Sequence, residues 1–256
     1  SIKNINFLLH TPTYLTNYRY RTFFSKEPET IEWIDNFEKN SVFYDIGANV
    51  GLYSIYASMC KNSKVFSFEP QRIIFQQLCA NIILNRLDNV FTYNFALGDK
   101  IQKISIPELD FWKSENTGGL TIDANIRKKL NQESEKGLNF KNFEKENKYN
   151  VEEVTLDSLE FSFDINFIKV DVEGYELEFL NGANKTIKKN NFPPIVYELW
   201  NGKSWYKKKA DKINKLLENW GYNLNIFGKE ILAQHPNHPT QCKITRDGDR
   251  VDLKIV

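Results

Sequence analysis

The stretch VFYDIGANVG, residues 42–51, runs an apolar strand directly into a glycine-spaced turn that begins at Asp45. Gly47 and Gly51 permit positive φ angles and a close approach of backbone to ligand. Their spacing is G-x-x-x-G, not the G-x-G-x-x-G that cradles a dinucleotide pyrophosphate, and no Gly-Lys-Ser/Thr comes after it as in a phosphate loop. Twenty-four residues after Asp45, Glu69 closes the run KVFSFE (64–69). A carboxylate at the end of a second strand can accept both hydroxyls of a ribose diol. These parts suit a nucleoside with no phosphates and an amino-acid tail. S-adenosylmethionine is such a molecule. Asp45 is expected to face its ammonium, and amides near Gly47 and Asn49 its carboxylate. A plain tight turn with a helix-capping acid is the alternative.

Outward from this turn, strand and helix patterns alternate. Residues 1–40 read as a helical cap, with Ile31, Ile34 and Phe37 at helical spacing, ahead of a main domain over 41–256. Strands are expected at 42–46, 64–69, 90–97, 167–172 and 194–200, with helices from Val50 to Cys60, from Pro70 to about Arg86, from Tyr175 to Lys189 and from about Ser204 to Trp220. NLNIF (223–227) and RVDLKIV (250–256) read as two closing strands. The pattern predicts an α/β fold: a mostly parallel sheet with helices on both faces. A polar insertion at about 108–150 breaks the rhythm and is long enough to cover a site.

Bulk properties exclude several classes. The 256 residues hold 34 Lys and Arg against 33 Asp and Glu, so a formal charge of +1 exerts no general pull toward nucleic acid or membrane. No apolar run approaches the ~18 residues of a membrane span. Cys60, Cys79 and Cys242 are odd in number and far apart, which suits buried free thiols and a cytoplasmic setting. No pattern in the sequence encodes an oligomeric state.

The ordered blocks FYDIGANVGLYS, VFSFEP, CANIILN, FALGD, NTGG, VTLDSL, FIKVDVEGYELEFLNGA and PPIVYEL resemble the FkbM-type S-adenosylmethionine-dependent methyltransferases over most of residues 27–200. The resemblance implies a class I methyltransferase (Rossmann-like) fold with seven strands, and O-methylation of sugar or natural-product hydroxyls. It implies that Asp45, Gly47, Asn49 and Gly51 contact the methionine side of the cofactor and Glu69 the ribose. Many methyltransferases of this fold place an acid after the third strand for the adenine. Here Asn94 and Ala96 stand at that point, with Asp99 a little beyond. Residues 1–26, 120–150 and 201–256 match poorly and are expected to select the acceptor, a sugar or glycan.

The block KVDVEG (169–174) ends the fourth strand beside the expected methyl. Strand alternation puts Lys169, Asp171 and, if the strand persists, Glu173 on one side. Asp171 is the first candidate for an essential acid, Glu173 the second, and Glu198 a third member. Neighbouring carboxylates raise one another's pKa, which suits a base, or they could hold a divalent metal. Glu173 could instead cap the next helix. Lys169 could orient Asp171 by ion pairing or simply lie beneath it. His235 and His238 in QHPNHPTQ suit a turn better than catalysis, and His10 belongs to an unmatched segment that could line the acceptor pocket. Trp112, Trp200, Trp205 and Tyr206 could stack on a sugar ring. The rival readings are an NAD-linked oxidoreductase, a non-catalytic module that keeps the fold, and an amine or carboxylate acceptor.

Overall fold

In the computed structural model the described residues are 6–108, 122–134, 147–200, 202–247 and 250–255. The turn after VFYDI divides the molecule. Strand β1 (Val42–Ile46) is buried along its whole length and pairs in parallel with β2 (Lys64–Phe68) on one side and β7 (Phe167–Val170) on the other. β3 (Val90–Tyr93) flanks β2, and β8 (Ile195–Glu198) flanks β7. The seven-stranded order is β3-β2-β1-β7-β8-β10-β9, in which only β10 (Glu230–Gln234) runs against its neighbours β8 and β9 (Asn223–Phe227). Chain progression reverses between β1 and β7. A crevice opens at such a reversal, beyond the carboxyl ends of the strands.

Alternation assigns each face its residues. Phe43, Phe167 and Val196 join the cluster beneath α2 (Pro28–Asp35) and α3 (Leu52–Lys61). Tyr44, Ile46, Ile168, Val170, Ile195 and Tyr197 face the opposite layer with α6 (Glu176–Gly182), α7 (Asn184–Lys189) and α8 (Lys207–Asn219). The first layer is held by aromatic packing. Phe37 stacks on Phe167 at 3.7 Å between centroids, and fully buried Trp33 meets Phe43 and Phe167 edge-on. Such ring pairs contribute ~0.5–1.5 kcal/mol each beyond the area they bury. Helix α1 (Tyr14–Lys26) starts at a reciprocal Thr13–Thr16 capping box, and Pro28 opens α2. α4 (Arg72–Leu84) packs Leu78 so closely on the turn that a Cβ on Gly51 would lie 2.5 Å from Leu78 Cδ1.

Three expectations from the sequence are corrected. The run 90–97 is two strands: Ala96–Leu97 (β4) leaves the main sheet after Asn94 and joins a three-stranded sheet with β5 (Gln102–Pro107) and β6 (Lys148–Val154). The run 167–172 stops at Val170: Asp171 N makes the last ladder bond, to Ile46 O, and Glu173 then turns the chain with a left-handed φ of 52°. The last strand of the main sheet is β10, not RVDLKIV. β10 reads as EILAQ, without the alternation of a half-exposed strand, since all five residues are buried. RVDLKIV supplies β12 (Arg250–Ile255), which among the described residues pairs only with β11 (Cys242–Asp247) and docks on α2, where Leu253 N donates to Glu32 Oε1. Within the insertion, α5 (Ala124–Ser134) sets Ile126 against Gly174, where a Cβ would lie 2.5 Å from Ile126 Cδ1. Trp112 and the NTGG block fall outside the described residues.

Among the described residues no helix is long and apolar enough to cross a membrane. All three cysteines are free thiols, but only Cys242 is fully buried; Cys60 and Cys79 are half-buried.

Candidate active site

The crevice at the reversal point is a cavity of about 770 Å³. Its floor is made by the turns at the carboxyl ends of the central strands: Gly47 to Val50 after β1, Glu69 to Gln71 after β2, Asp171 to Glu173 after β7, and Glu198 to Trp200 at the end of β8. Phe95, Ala96, Leu97 and Ile106 form an apolar end, which Ile122 and Leu130 from the insertion close. Arg19, Lys26 and Glu27 reach it from the N-terminal helices.

The glycine turn is shaped by close approach. Gly47 has φ 85°, and a Cβ there would lie 1.9 Å from Asp171 O. No side chain larger than hydrogen fits between β1 and β7 at that point. Every amide of the turn already has a protein acceptor. Gly47 N and Ala48 N donate to Phe68 O at 2.9 and 3.0 Å, Asn49 N to Glu69 Oε2 at 3.0 Å, Val50 N to Asn49 Oδ1 at 2.9 Å, and Gly51 N to Ala48 O at 2.9 Å. The Gly47 and Asn49 amides, expected to meet a ligand carboxylate, thus already have acceptors within the protein, and both residues line the cavity.

Asp45 does not line the cavity. It is buried beneath the turn, where Ser54 Oγ donates to Asp45 Oδ2 at 2.5 Å and contacts Ser67 Oγ at 2.8 Å. Burial raises its pKa to about 6, with Lys169 and Ser54 pulling the other way. Its printed bond is to the side chain of Ser54 in the first turn of α3, a helix whose N-cap is Gly51. Gly51 does not line the cavity either, and serves the turn by its close packing on α4. Glu69 does line the cavity. Its two oxygens accept from Asn49 N (3.0 Å) and Gln71 N (2.8 Å), which fixes the carboxylate while leaving lone pairs for a ligand. Burial raises Glu69 to about 7, opposed by those two amides. Of the residues expected near an adenine, Ala96 lines the cavity. Asn94 does not: its Nδ2 donates to Glu69 O and Pro70 O and so braces the Glu69 turn.

At the other end, the sheet brings together charges that are far apart in sequence. Lys169 is 1% exposed and stands beside Asp45 in the β1–β7 register. Its Nζ lies 3.0 Å from Asp171 Oδ2, 3.3 Å from Glu230 Oε1 and 4.8 Å from the Tyr53 ring centre. Burial alone would lower its pKa, but Asp171, Glu230, Tyr53 and Glu27 together hold it well above the ordinary lysine value. Lys169 thus orients Asp171 by an ion pair. Glu198 pairs in register with Glu230 across β8 and β10. Burial, reinforced by Asp171 and Glu173, raises Glu198 to about 8, against the pull of Lys169.

Lys26, Tyr53 and Glu230 carry no signal of a role in the sequence pattern, and Glu27 carries almost none. Glu27 links α1 and α2, accepts from Tyr53 Oη and pairs with Lys26 Nζ at 2.8 Å. Its pKa falls to about 2: burial opposes this, but Lys169 and Lys26 overcome it. Only its place between two helix signals in FSKEPET hints at a role, and its distance from Lys169 in sequence hides the pairing. Trp200 lines the cavity, with Trp205 edge-on at 6.1 Å and Tyr206 at 5.5 Å behind it. Buried Tyr206 donates to Glu176 Oε2. His235 stacks on Phe192 at 4.2 Å, and His238 Nδ1 accepts from Thr240 N; neither histidine, nor His10, lines the cavity. Among the described residues no group of three His, Cys, Asp or Glu side chains could hold a metal ion.

A strand order with one reversed strand, a ribose-competent acid after β2 and a pyrophosphate-free glycine turn define a class I S-adenosylmethionine-dependent methyltransferase. Residues 45–224 match the model of the methyltransferase FkbM domain, and the chain belongs to that family. It is 25% identical over 177 residues to the hexuronic acid methyltransferase AglP of Haloferax volcanii, a match over 66% of this chain and 60% of that protein's length. Similar solved structures include a TehB-like SAM-dependent methyltransferase from Corynebacterium glutamicum (12% identity, TM-score 0.45, 87% of this chain and 97% of that one). A SAM-dependent methyltransferase from Aquifex aeolicus gives 13% identity and a TM-score of 0.44, over 88% and 96%.

The residues present fit the cofactor. Glu69 offers fixed acceptor oxygens, the wall near Ala96 and Phe95 is apolar, and Arg19 Nε is shielded from solvent without a hydrogen-bond partner among the described residues.

Proposed function

We propose that this chain O-methylates a hydroxyl of a sugar, in a glycan or a nucleotide sugar. When bound, S-adenosylmethionine supplies an electrophilic methyl group on a sulfonium. The chain's residues position the acceptor and remove its proton. In this reading Asp171, held by Lys169, accepts a hydrogen bond from the acceptor hydroxyl and orients it. Glu198 takes the proton as the hydroxyl oxygen gains the methyl group, and Glu173 flanks the pair. Glu69 grips the ribose, and the floor at Gly47 lets the cofactor lie against the backbone. Trp200 supplies an aromatic face for a sugar ring. The proposed site residues are thus those expected from the sequence, except that Asp45 and Gly51 support the turn from outside the cavity and Asn94 braces Glu69.

The observation that carries this reading is that Asp171, Glu173 and Glu198 line the same cavity as Glu69. A base near neutral pKa is suited to proton removal at physiological pH, and Glu198 at about 8 meets that condition. The hexuronic acid methyltransferase relative supports a sugar acceptor. Free cysteines support a cytoplasmic location. The test is methyl transfer against a panel of sugars, glycans and nucleotide sugars, with mass spectrometry locating the added methyl. Asp171→Asn should cut turnover while cofactor affinity holds. Methyl ester or N-methyl products in place of ethers would refute the assignment.

A further inference from the structure

The turn that was expected to receive the cofactor's carboxylate has no amide to spare. A carboxylate entering this cavity meets the acids Glu27, Glu69, Asp171, Glu173 and Glu198, so it needs a cation with an open donor. Lys169 is buried between Asp171 and Glu230. Lys26 is paired with Glu27. Lys203 and Lys229 line the cavity from the segment after β8 and from the turn between β9 and β10, at the end of the sheet that carries Glu198 and Glu230.

Arg19 differs from all four. It lies on α1, on the face it shares with buried Phe23 and with Lys26, at i, i+4 and i+7. Two helical turns, about 10 Å, separate Arg19 from Lys26, so α1 runs along the cavity rather than merely touching it. Arg19 Nε is sealed from solvent and has no hydrogen-bond partner among the described residues. Arg19 lines the cavity as a residue, so it is the rest of its side chain and not the sealed Nε that meets the cavity. Arg19 stands close enough to the ribose-binding acid for its charge to act on Glu69. It also lies outside residues 45–224, the segment that matches the family model.

We infer that Arg19 receives the α-carboxylate of S-adenosylmethionine, so that a helix outside the family-matched region completes the cofactor site. The guanidinium presents a planar fork of donors that suits a carboxylate. This inference rests on the cavity being the cofactor site, and the experiment separates the two. Binding of S-adenosylmethionine and of decarboxylated S-adenosylmethionine is measured by calorimetry on the whole chain, as wild type, Arg19→Gln and Glu69→Ala. Wild type should prefer the carboxylated form by about 10- to 100-fold, the range of a hydrogen bond to a charged group. Arg19→Gln should abolish that preference and bind the decarboxylated form as wild type does. Glu69→Ala should weaken both forms. Equal wild-type affinity for the two forms would overturn the role of Arg19 without any variant, as would an Arg19→Gln chain that keeps the preference. If Glu69→Ala leaves both affinities unchanged, the cavity assignment itself fails, whatever Arg19 does.

Discussion

Glu198→Gln should make the protein more stable in alkali and nearly inactive. The wild-type carboxyl rises from 4.5 to about 8 because it is buried beside Asp171 and Glu173. The folded state therefore holds this proton more tightly than the unfolded chain does. The corresponding stability is fully present below pH 4.5 and is lost as pH rises through about 8. At 1.36 kcal/mol per pH unit the full loss would approach ~5 kcal/mol. Water reaches this half-buried group, and its neighbours share the titration, so the effect is reduced to about 2 kcal/mol. Glutamine stays neutral throughout. Its stability should match wild type at about pH 5 and exceed it by about 2 kcal/mol at about pH 9, or ~4–8 °C in Tm for a chain of this size. Turnover should fall ~10²- to 10⁴-fold, as expected on losing a general base. Thermal unfolding at about pH 5, 7 and 9, with turnover measured alongside, makes the test. A Tm difference that does not change with pH would refute the proposed ionisation. Turnover near wild type would remove Glu198 from proton transfer.

Other outcomes arise from the same geometry. Lys169→Met should destabilise by ~3–5 kcal/mol in denaturant unfolding, since it strands Glu230 in the core, whereas Lys169→Met with Glu230→Gln should recover part of the loss. Glu69→Ala should weaken S-adenosylhomocysteine binding by ~1–3 kcal/mol in calorimetry; unchanged affinity would reject its ribose role. Gly47→Ala should force β1 and β7 apart, because the new Cβ would sit 1.9 Å from Asp171 O, and its cost should appear as a Tm drop together with weaker cofactor binding. Stability should also fall below about pH 4.5 toward pH 2 as Glu27 protonates, since its folded pKa is held near 2 by Lys169 and Lys26 despite burial, and this limb should flatten in Glu27→Gln.

Much of the parallel half of the sheet was legible because each central strand is a short apolar run punctuated by its own turn: VFYDI before a glycine, KVFSF before Pro70, IVYE before the aromatic segment. The hidden parts involve departures that local pattern does not carry. The break at Asn94 comes from a side chain that turns back to bond Glu69 O and Pro70 O, and no periodicity signals it. β10 was missed since a strand buried on both faces shows no alternation, and its glutamate and glutamine contradict an apolar reading until their partners, Lys169 with Thr30 and Cys242, are known. The acids proposed for the site stand at strand ends, where topology opens a crevice, and so are visible in the sequence. Their partners Glu27, Tyr53 and Glu230 come from distant segments, and only three-dimensional closure brings them to Lys169.

That closure also explains why a lysine stands in the central strand next to β1. An unpaired ammonium at 1% exposure would be prohibitively unfavourable, so its retention at the sheet's centre demands acids from several elements. Asp171 arrives from the end of its own strand, Glu230 from the reversed strand, and Glu27 from the joint of α1 and α2. The same cation therefore fastens the N-terminal helices and the reversed strand to the cavity floor while fixing the carboxylate assigned to the acceptor hydroxyl. On the proposed roles, stability and catalytic geometry are coupled through one side chain. A lysine serving only the fold could be replaced, together with Glu230, by an uncharged pair without functional loss. In Lys169→Met with Glu230→Gln, Asp171 loses its anchor, so turnover should stay low even where stability is largely recovered.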